Sequence, residues 1–127
     1  MNSNTIKKRH YILTETAQRD FREAKKWSMS RWGKALTKQY FSSLHQTAEQ
    51  LGQRQNSFTK ITDDTGLKVY PVREHYLVYL PLDKELIAIV SLIRQTRDVP
   101  AIIEANEFAI RRELKEIYEQ FHSHTKQ

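Results

Sequence analysis

LKVYPVREHYLVYLPLDKELIAIVSLI, residues 67–93, is the stretch that decides the fold. Leu67 to Arg73 and His75 to Leu82 are rich in β-branched and aromatic residues, as strands are. Asp83-Lys84 reads as a tight turn into Glu85 to Ile93, so the three runs form an antiparallel meander. Pro71 cannot donate a ladder hydrogen bond, which places its strand at an edge or at a bulge. In the last run Leu86, Ala88, Val90 and Leu92 point one way, and Ile87, Ile89 and Ile93 the other. Both faces are apolar, so both are expected to be covered. Arg94 continues the phase of Leu86 to Leu92 and ends that face with a charge.

Upstream, His10 to Leu13 reads as a first short strand. Thr14 or Thr16 offers a helix N-cap, with Glu15 and Asp20 near the positive end of the helix dipole. Ala17, Phe21 and Ala24 recur at helical spacing, and Trp27 or Met29 with Trp32 extends the stripe. Gly33 interrupts it. Leu36, Tyr40, Leu44, Ala48 and Leu51 form a second stripe, with Gly52 where a C-terminal cap belongs. Two amphipathic helices joined at one glycine predict an αα-hairpin. Gln53 to Gly66 is polar and reads as a loop.

Downstream, Asp98 and Pro100 open a last helix over about residues 99–121, with Ile103, Ile110, Leu114, Ile117 and Phe121 on one face. That face has to be buried, on the sheet or against a second copy of the chain. The order is therefore β-α-α-β-β-β-α. It predicts an α+β fold in which an N-terminal strand and an αα-hairpin pack on an antiparallel sheet, with an extra C-terminal helix. The 127 residues are expected to make one domain, 1–127, with its core at about 9–103.

The chain carries net charge +6. Residues 104–127 hold four Lys and Arg against five Glu, so the basic excess lies in the first 103 residues. Such a body attracts nucleic acid, the ribosome or an acidic protein. With no cysteine, disulfides, thiolate metal sites and cysteine nucleophiles are excluded. No secretory signal is visible and no apolar run approaches a bilayer span, so a cytoplasmic, membrane-free protein is expected. The three glycines, Gly33, Gly52 and Gly66, form no phosphate-cradling loop. Ser42 and Ser43 sit on a helix pattern with no nucleophile elbow. His122 and His124 are terminal and two apart, which does not make a metal site. No cofactor or metal is expected. The residues that remain are Lys68, Arg73, His75, Arg94 and Arg97, clustered at strand ends. Arg94 is as readily a solvated or ion-paired strand-end arginine, and His75 a hydrogen-bonded edge histidine. Tyr70, Tyr76 and Tyr79 read as sheet packing.

YILTETAQRDF at residues 11–21 and the Arg31-Trp32-Gly33 step resemble the first helix and helical turn of ParE toxins. FTKITDD at 58–64, followed by LKVYPVREHYLVYLPLDKELIAIVSLIRQTRDV, resembles the family's basic strand, histidine-led strand and Ile/Val-rich strand with an arginine-containing tip. The resemblance spans roughly residues 10–103. It implies the toxin of a type II toxin–antitoxin pair that inhibits DNA gyrase without a catalytic residue. A small ParD-like antitoxin would neutralise it by adding a helix and a strand. Phe21, Trp27, Tyr40, Leu44 and Tyr70 are then the expected antitoxin contacts, and Arg73, His75, Arg94 and Arg97 the target contacts. A dimer or a toxin–antitoxin hetero-oligomer is the expected assembly. Two departures stand out. Arg94 occupies the place of a histidine in the family's LIHxRMD-like segment, and the chain runs about 20 residues past the family's end by its helical period.

The sister RelE-like branch shares the fold and cleaves ribosome-bound mRNA with clustered Lys and Arg. Lys68, Arg73 and Arg94 could supply that charge. However, RQTRDVPAII after the last strand offers no general acid or base, and Tyr118, His122 and His124 come too late. Gyrase inhibition ranks ahead of RNA cleavage, with a non-toxic binding domain third.

Overall fold

The computed structural model describes residues 9–53, 59–60 and 66–125, with side chains left aside at 59–60 and 121–125. The elements are β1 (Tyr11–Leu13), α1 (Glu15–Trp32), α2 (Lys34–Gln53), β2 (Thr59–Lys60), β3 (Lys68–Val72), β4 (His75–Asp83), β5 (Leu86–Arg94), α3 (Val99–Ala105) and α4 (Glu107–Thr125). The α+β class expected from the sequence holds, and so does the order apart from the added β2 and the division of the last helix into α3 and α4. The five strands lie in the order β1-β5-β4-β3-β2. All neighbours are antiparallel except β1, which pairs parallel with β5, so the sheet is mixed rather than purely antiparallel.

Local chemistry explains the boundaries. Thr14 caps α1 by accepting the Ala17 N–H at 3.1 Å. Gly33 ends that helix at φ 88°, a conformation that disfavours a side chain, while its N–H returns to the Met29 carbonyl. The stripe residues Tyr40, Leu44, Ala48 and Leu51 are buried with Phe21, Leu77, Ile87 and Ile89 in one core between the hairpin and the sheet. Each large side chain there contributes about 1.5–3 kcal/mol of apolar burial. The short β1 is tied to α2 as well as to the sheet. The Glu49 carboxylate accepts the His10 N–H at 3.2 Å and pairs with the His10 ring, and the Tyr11 hydroxyl meets His45 Nδ1 at 2.6 Å.

Four local expectations change. Gly52 does not cap α2, which continues to Gln53. A Cβ at Gly52 would lie 2.0 Å from the His10 carbonyl oxygen, so the glycine is there for the close crossing of β1 over α2. The segment expected to be a loop contains β2, paired with Val69 and Lys68 of β3; residues 54–58 and 61–65 of it lie outside the described residues. Among the described residues β2 pairs only with Lys68 and Val69, so Pro71, which has no N–H to donate, has no partner there on the β2 side of β3. The last helix is two helices. The Asn106 N–H and side-chain amide both turn back onto the Ile102 carbonyl, and its own carbonyl accepts from Ile110 to start α4.

The fourth change is in β5. Val78 pairs with Ser91 but Tyr79 pairs with Ile89, so Val90 is an extra residue in the ladder, a β-bulge. A bulge reverses the alternation. Ile87, Ile89 and Leu92 therefore share the core under the hairpin, while Val90 and Ile93 face the opposite side. Leu92 does not continue the face of Leu86 to Val90, and Arg94 emerges on the hairpin side.

Both faces of the sheet are covered. Val99, Ile103 and Ile110 pack with Val69, Val78, Val90 and Ile93 on the second face, and Leu114 borders them. Ile117 is half-buried, and the Phe121 side chain lies outside the described residues. A polar clamp fixes this layer. Glu113, almost fully buried on α4, accepts the Thr16 N–H at 3.0 Å and the Thr16 hydroxyl at 2.8 Å. A carboxylate thus sits on the first turn of α1, where unpaired N–H groups and the helix dipole favour negative charge.

Two stability predictions follow from these contacts. Glu113→Ala leaves a buried N–H and hydroxyl without partners and should cost about 1–3 kcal/mol in chemical denaturation, with Glu113→Gln recovering part of it. Gly52→Ala places a methyl inside the His10 carbonyl and should destabilise by several times the ~1 kcal/mol that alanine normally gains over glycine in a helix. A Gly52→Ala variant as stable as the parent would show that β1 does not cross α2 at this distance.

Candidate functional site

The bulge in β5 leaves the Leu92 N–H outside the regular ladder, and α1 supplies its acceptor. Asp20 Oδ2 takes the Leu92 N–H at 3.1 Å and the Ser91 hydroxyl at 2.7 Å. Burial raises the Asp20 carboxyl above its ordinary range despite those hydrogen bonds. Beyond this joint, α1 and the end of β5 diverge. They enclose a cleft of about 330 Å³ lined by Arg19, Glu23, Trp27, His75, Arg94 and Arg97 among others, with Ile102 and Asn106 from the α3 side.

Trp27 is the wall on which the cations are arranged. The Arg94 guanidinium lies 4.7 Å from its ring centroid and that of Arg31 5.3 Å. Trp32 meets the Trp27 ring edge-on at 5.3 Å and His75 at 6.0 Å. His75 is Arg94's partner across the β4–β5 ladder. Only 1% of His75 is exposed, and its Nδ1 lies 2.6 Å from the Tyr40 hydroxyl. That hydroxyl also donates to the Val72 carbonyl at 2.9 Å. A tyrosine has one proton and a carbonyl only accepts, so both contacts are satisfied together when His75 carries its proton on Nδ1. Burial, reinforced by the Arg94 charge, lowers the His75 pKa to about 4. Burial pushes Tyr40 up to about 12. Both groups are neutral at physiological pH.

The cleft thus brings together Trp27, His75, Arg94 and Arg97 from the residues singled out in the sequence. It omits others. Lys68 lies on β3, with β4 between it and β5, and does not line the cleft. Arg73 is exposed in the two-residue turn between β3 and β4, at φ 54°, near enough for its charge to act on Tyr40. His75 is a buried positioning residue rather than a surface contact. Of the expected antitoxin contacts, Phe21, Tyr40 and Leu44 are core residues, at 1% and 0% exposure for the last two, so they present no surface. Stripe residues of an amphipathic helix face its own sheet first. Tyr70 is exposed, as are Met29 and Leu36 on either side of the Gly33 turn. The sequence marks Asp20 only as a charge near the positive end of the α1 dipole and Arg19 and Glu23 only as its solvated face, not as parts of a site. The signal for Asp20 is its i, i+4 phase with Thr16 and Ala24, beside the apolar stripe.

The described residues contain no group of three His, Cys, Asp or Glu placed to hold a metal ion, and no helix long and apolar enough to cross a membrane.

The chain has known relatives. The family model for the ParE toxin of the type II toxin–antitoxin system parDE matches residues 11–99. The chain belongs to the ParE toxin family. It is 26% identical over 90 residues to a Toxin ParE of Escherichia coli, covering 70% of this chain and 87% of that one. The fold is also similar to a solved chain of the chromosomal ParDE TA system from P. aeruginosa. The TM-score is 0.56 at 13% identity, over 66% of this chain and 92% of the other. The family match closes at Val99, at the first residue of α3, so α4 lies wholly beyond it. The Ala17/Phe21/Ala24 stripe, the Gly33 turn and the cleft residues Trp27, His75, Arg94 and Arg97 all fall within the matched ParE region.

The buried imidazole makes stability depend on pH with a definite sign. The folded pKa of His75 is below the ordinary 6.5, so the unfolded chain binds the proton more readily. Stability should be level above pH ~6.5 and fall by up to ~1.4 kcal/mol per unit towards pH 4. His45, lowered mainly by burial, adds in the same direction, and Asp20, raised by burial, opposes it at the acid end. Denaturation midpoints of the parent and a folded His75→Gln variant between pH 4 and 8 test this. Equal slopes in the two would remove His75 as the cause.

Proposed function

We propose that this ParE-family chain arrests growth by inhibiting DNA gyrase, and that a small ParD-like antitoxin neutralises it in the cytoplasm. The observation that carries the reading is the cleft at the end of β5, built to hold charge rather than to move protons. Arg94 is stacked on Trp27 beside a neutral, buried His75. The Asp20 carboxylate is committed to the bulge. General acid–base chemistry needs an accessible group titrating near the working pH, and His75 is pushed well below it. Lys68, which RNA cleavage would recruit beside Arg94, stands elsewhere on the sheet. An inhibitor that grips its target through Arg94 and Arg97, with Arg73 on the adjoining turn, fits this geometry better than a ribonuclease.

For the antitoxin, the surfaces on offer among the described residues are the tip of the αα-hairpin, where Met29 is 42% and Leu36 54% exposed, and the outer edge of β3 with the exposed Tyr70 and Pro71. A helix laid across the tip and a strand added beyond the two-residue β2 would use both. Toxin and antitoxin then form a hetero-oligomer.

The deciding experiment runs purified chain in gyrase supercoiling and in ribosome-bound mRNA cleavage side by side. Inhibition of supercoiling without mRNA cleavage is expected, and the reverse result overturns the reading. Arg94→Ala should weaken inhibition about tenfold, the equivalent of ~1.4 kcal/mol of lost contact. It should lower stability by no more than the ~0.5–2 kcal/mol of a cation–π contact. Full inhibition by a folded Arg94→Ala protein would remove this residue from the target interface.

A further inference from the structure

We propose that the cleft between α1 and the end of β5 is a phosphate-binding site, occupied by a backbone phosphate of DNA and read without regard to base sequence. The inference deepens the gyrase reading above and rests on it for its setting: the toxin would recognise gyrase with DNA on it rather than the bare enzyme.

The cleft has unfilled pairing capacity. Three guanidiniums, those of Arg19, Arg94 and Arg97, line one cleft. Arg19 lies 3.8 Å from Asp20. Among the described residues, neither Arg94 nor Arg97 is in an ion pair. Two of the nearby carboxylates that could have neutralised them are engaged elsewhere. Asp20 holds the bulge through Ser91 and Leu92, and Asp98 accepts the Ala101 N–H at 3.2 Å as the N-cap of α3. Glu23 is the remaining acid on the cleft wall, and it is exposed.

The cleft is also preorganised. Arg94 is held on the Trp27 face and its ladder partner His75 is pinned by Tyr40, so its fork has less freedom to lose on binding. Arg97 enters from the turn after β5, where its N–H returns to the Arg94 carbonyl at 3.0 Å. Two forks from different backbone positions suit the tetrahedral oxygens of a phosphate. A planar carboxylate is satisfied by one fork. A cleft of 330 Å³ has room for a phosphate with its sugar. The Trp27 ring is already covered by Arg94, with Arg31 at 5.3 Å, so it is not free to stack on a base. Binding through phosphate alone carries no sequence information. The +6 chain supplies the long-range attraction.

The test titrates the full chain with a short mixed-sequence DNA duplex at several salt concentrations, following anisotropy of the labelled duplex and tryptophan emission. We expect binding that is indifferent to base sequence. The logarithmic salt slope should fall by about one in Arg94→Gln and again in Arg97→Gln, with about a tenfold loss of affinity at moderate salt. Arg94→Lys should retain most of the slope. The emission change should vanish in Trp27→Phe but persist in Trp32→Phe. Circular dichroism of each variant confirms that it is folded. No binding at low salt, an unchanged slope in both glutamine variants, or displacement of DNA by poly-glutamate at equal charge would overturn the proposal, the last pointing to an acidic protein segment instead. Gyrase supercoiling by the same proteins keeps the two readings apart. DNA binding without gyrase inhibition leaves the phosphate site standing and removes the target. Inhibition without DNA binding does the opposite.

Discussion

The structure turns on one carboxylate. Asp20 on α1 accepts the Ser91 hydroxyl and the Leu92 N–H, and so holds open the bulge at Val90 in β5. Beyond the bulge the alternation of β5 is reversed. That reversal sends Leu92 into the core beneath the hairpin and brings Arg94 out beside Trp27. Without the extra residue, Arg94 would leave on the opposite face, towards α3 and α4, and the cleft would lose its central cation. An unpaired strand N–H at a bulge costs about as much as any buried orphan donor, so a well-placed acceptor decides whether the bulge persists. The same contact holds α1 against β5 and keeps Trp27 at the strand end.

The second constraint comes from β5 having two buried faces. Ile87 and Ile89 need the αα-hairpin, and Val90 and Ile93 need a cover on the other side. In this chain α3 and α4 supply it, from a segment that lies beyond the match to the family. The cover is tied to the body by the Glu113 carboxylate on Thr16 as well as by apolar contact. A charged group this deeply buried is tolerable because both oxygens are hydrogen-bonded and because it sits at a helix N-terminus. The extension and the hairpin therefore share an anchor on the first turn of α1, although they lie on opposite faces of the sheet.

The polar interior around Tyr40, Val72 and His75 links the core to the cleft. Tyr40 reaches from α2 across the sheet end to donate to the Val72 carbonyl, and the His75 Nδ1–H donates to the same hydroxyl oxygen. The chain is satisfied without a charge, which suits a site that already contains three guanidiniums. A protonated imidazole beside Arg94 would add like-charge repulsion in a partly desolvated place.

Most of the architecture was legible in the sequence because periodicity reports burial directly. Residues 67–93 are rich in β-branched and aromatic residues as strands are, Ala17/Phe21/Ala24 and Tyr40/Leu44/Ala48/Leu51 repeat as helices do, and Gly33 marks the turn between them. The candidate arginines were legible because Arg94 and Arg97 are charges placed where an apolar strand stops. The bulge at Val90 was not legible, since an inserted residue in an all-apolar run leaves no mark on the pattern. Only the pairing of Ser91 with Val78 and Ile89 with Tyr79 reveals it. The parallel placement of β1, the pinning of Gly52 against His10 and the seat of Glu113 on Thr16 join residues far apart in the chain. Local propensity carries no information about such meetings. The sequence alone determined the main helices and strands, though not β2 or the break between α3 and α4, and that the body is cationic, because those follow from side-chain chemistry at short range. The tertiary structure decided which face Arg94 takes, that His75 is a neutral interior group, and that Phe21, Tyr40 and Leu44 belong to the core. Those depend on register and on which acceptor reaches which donor.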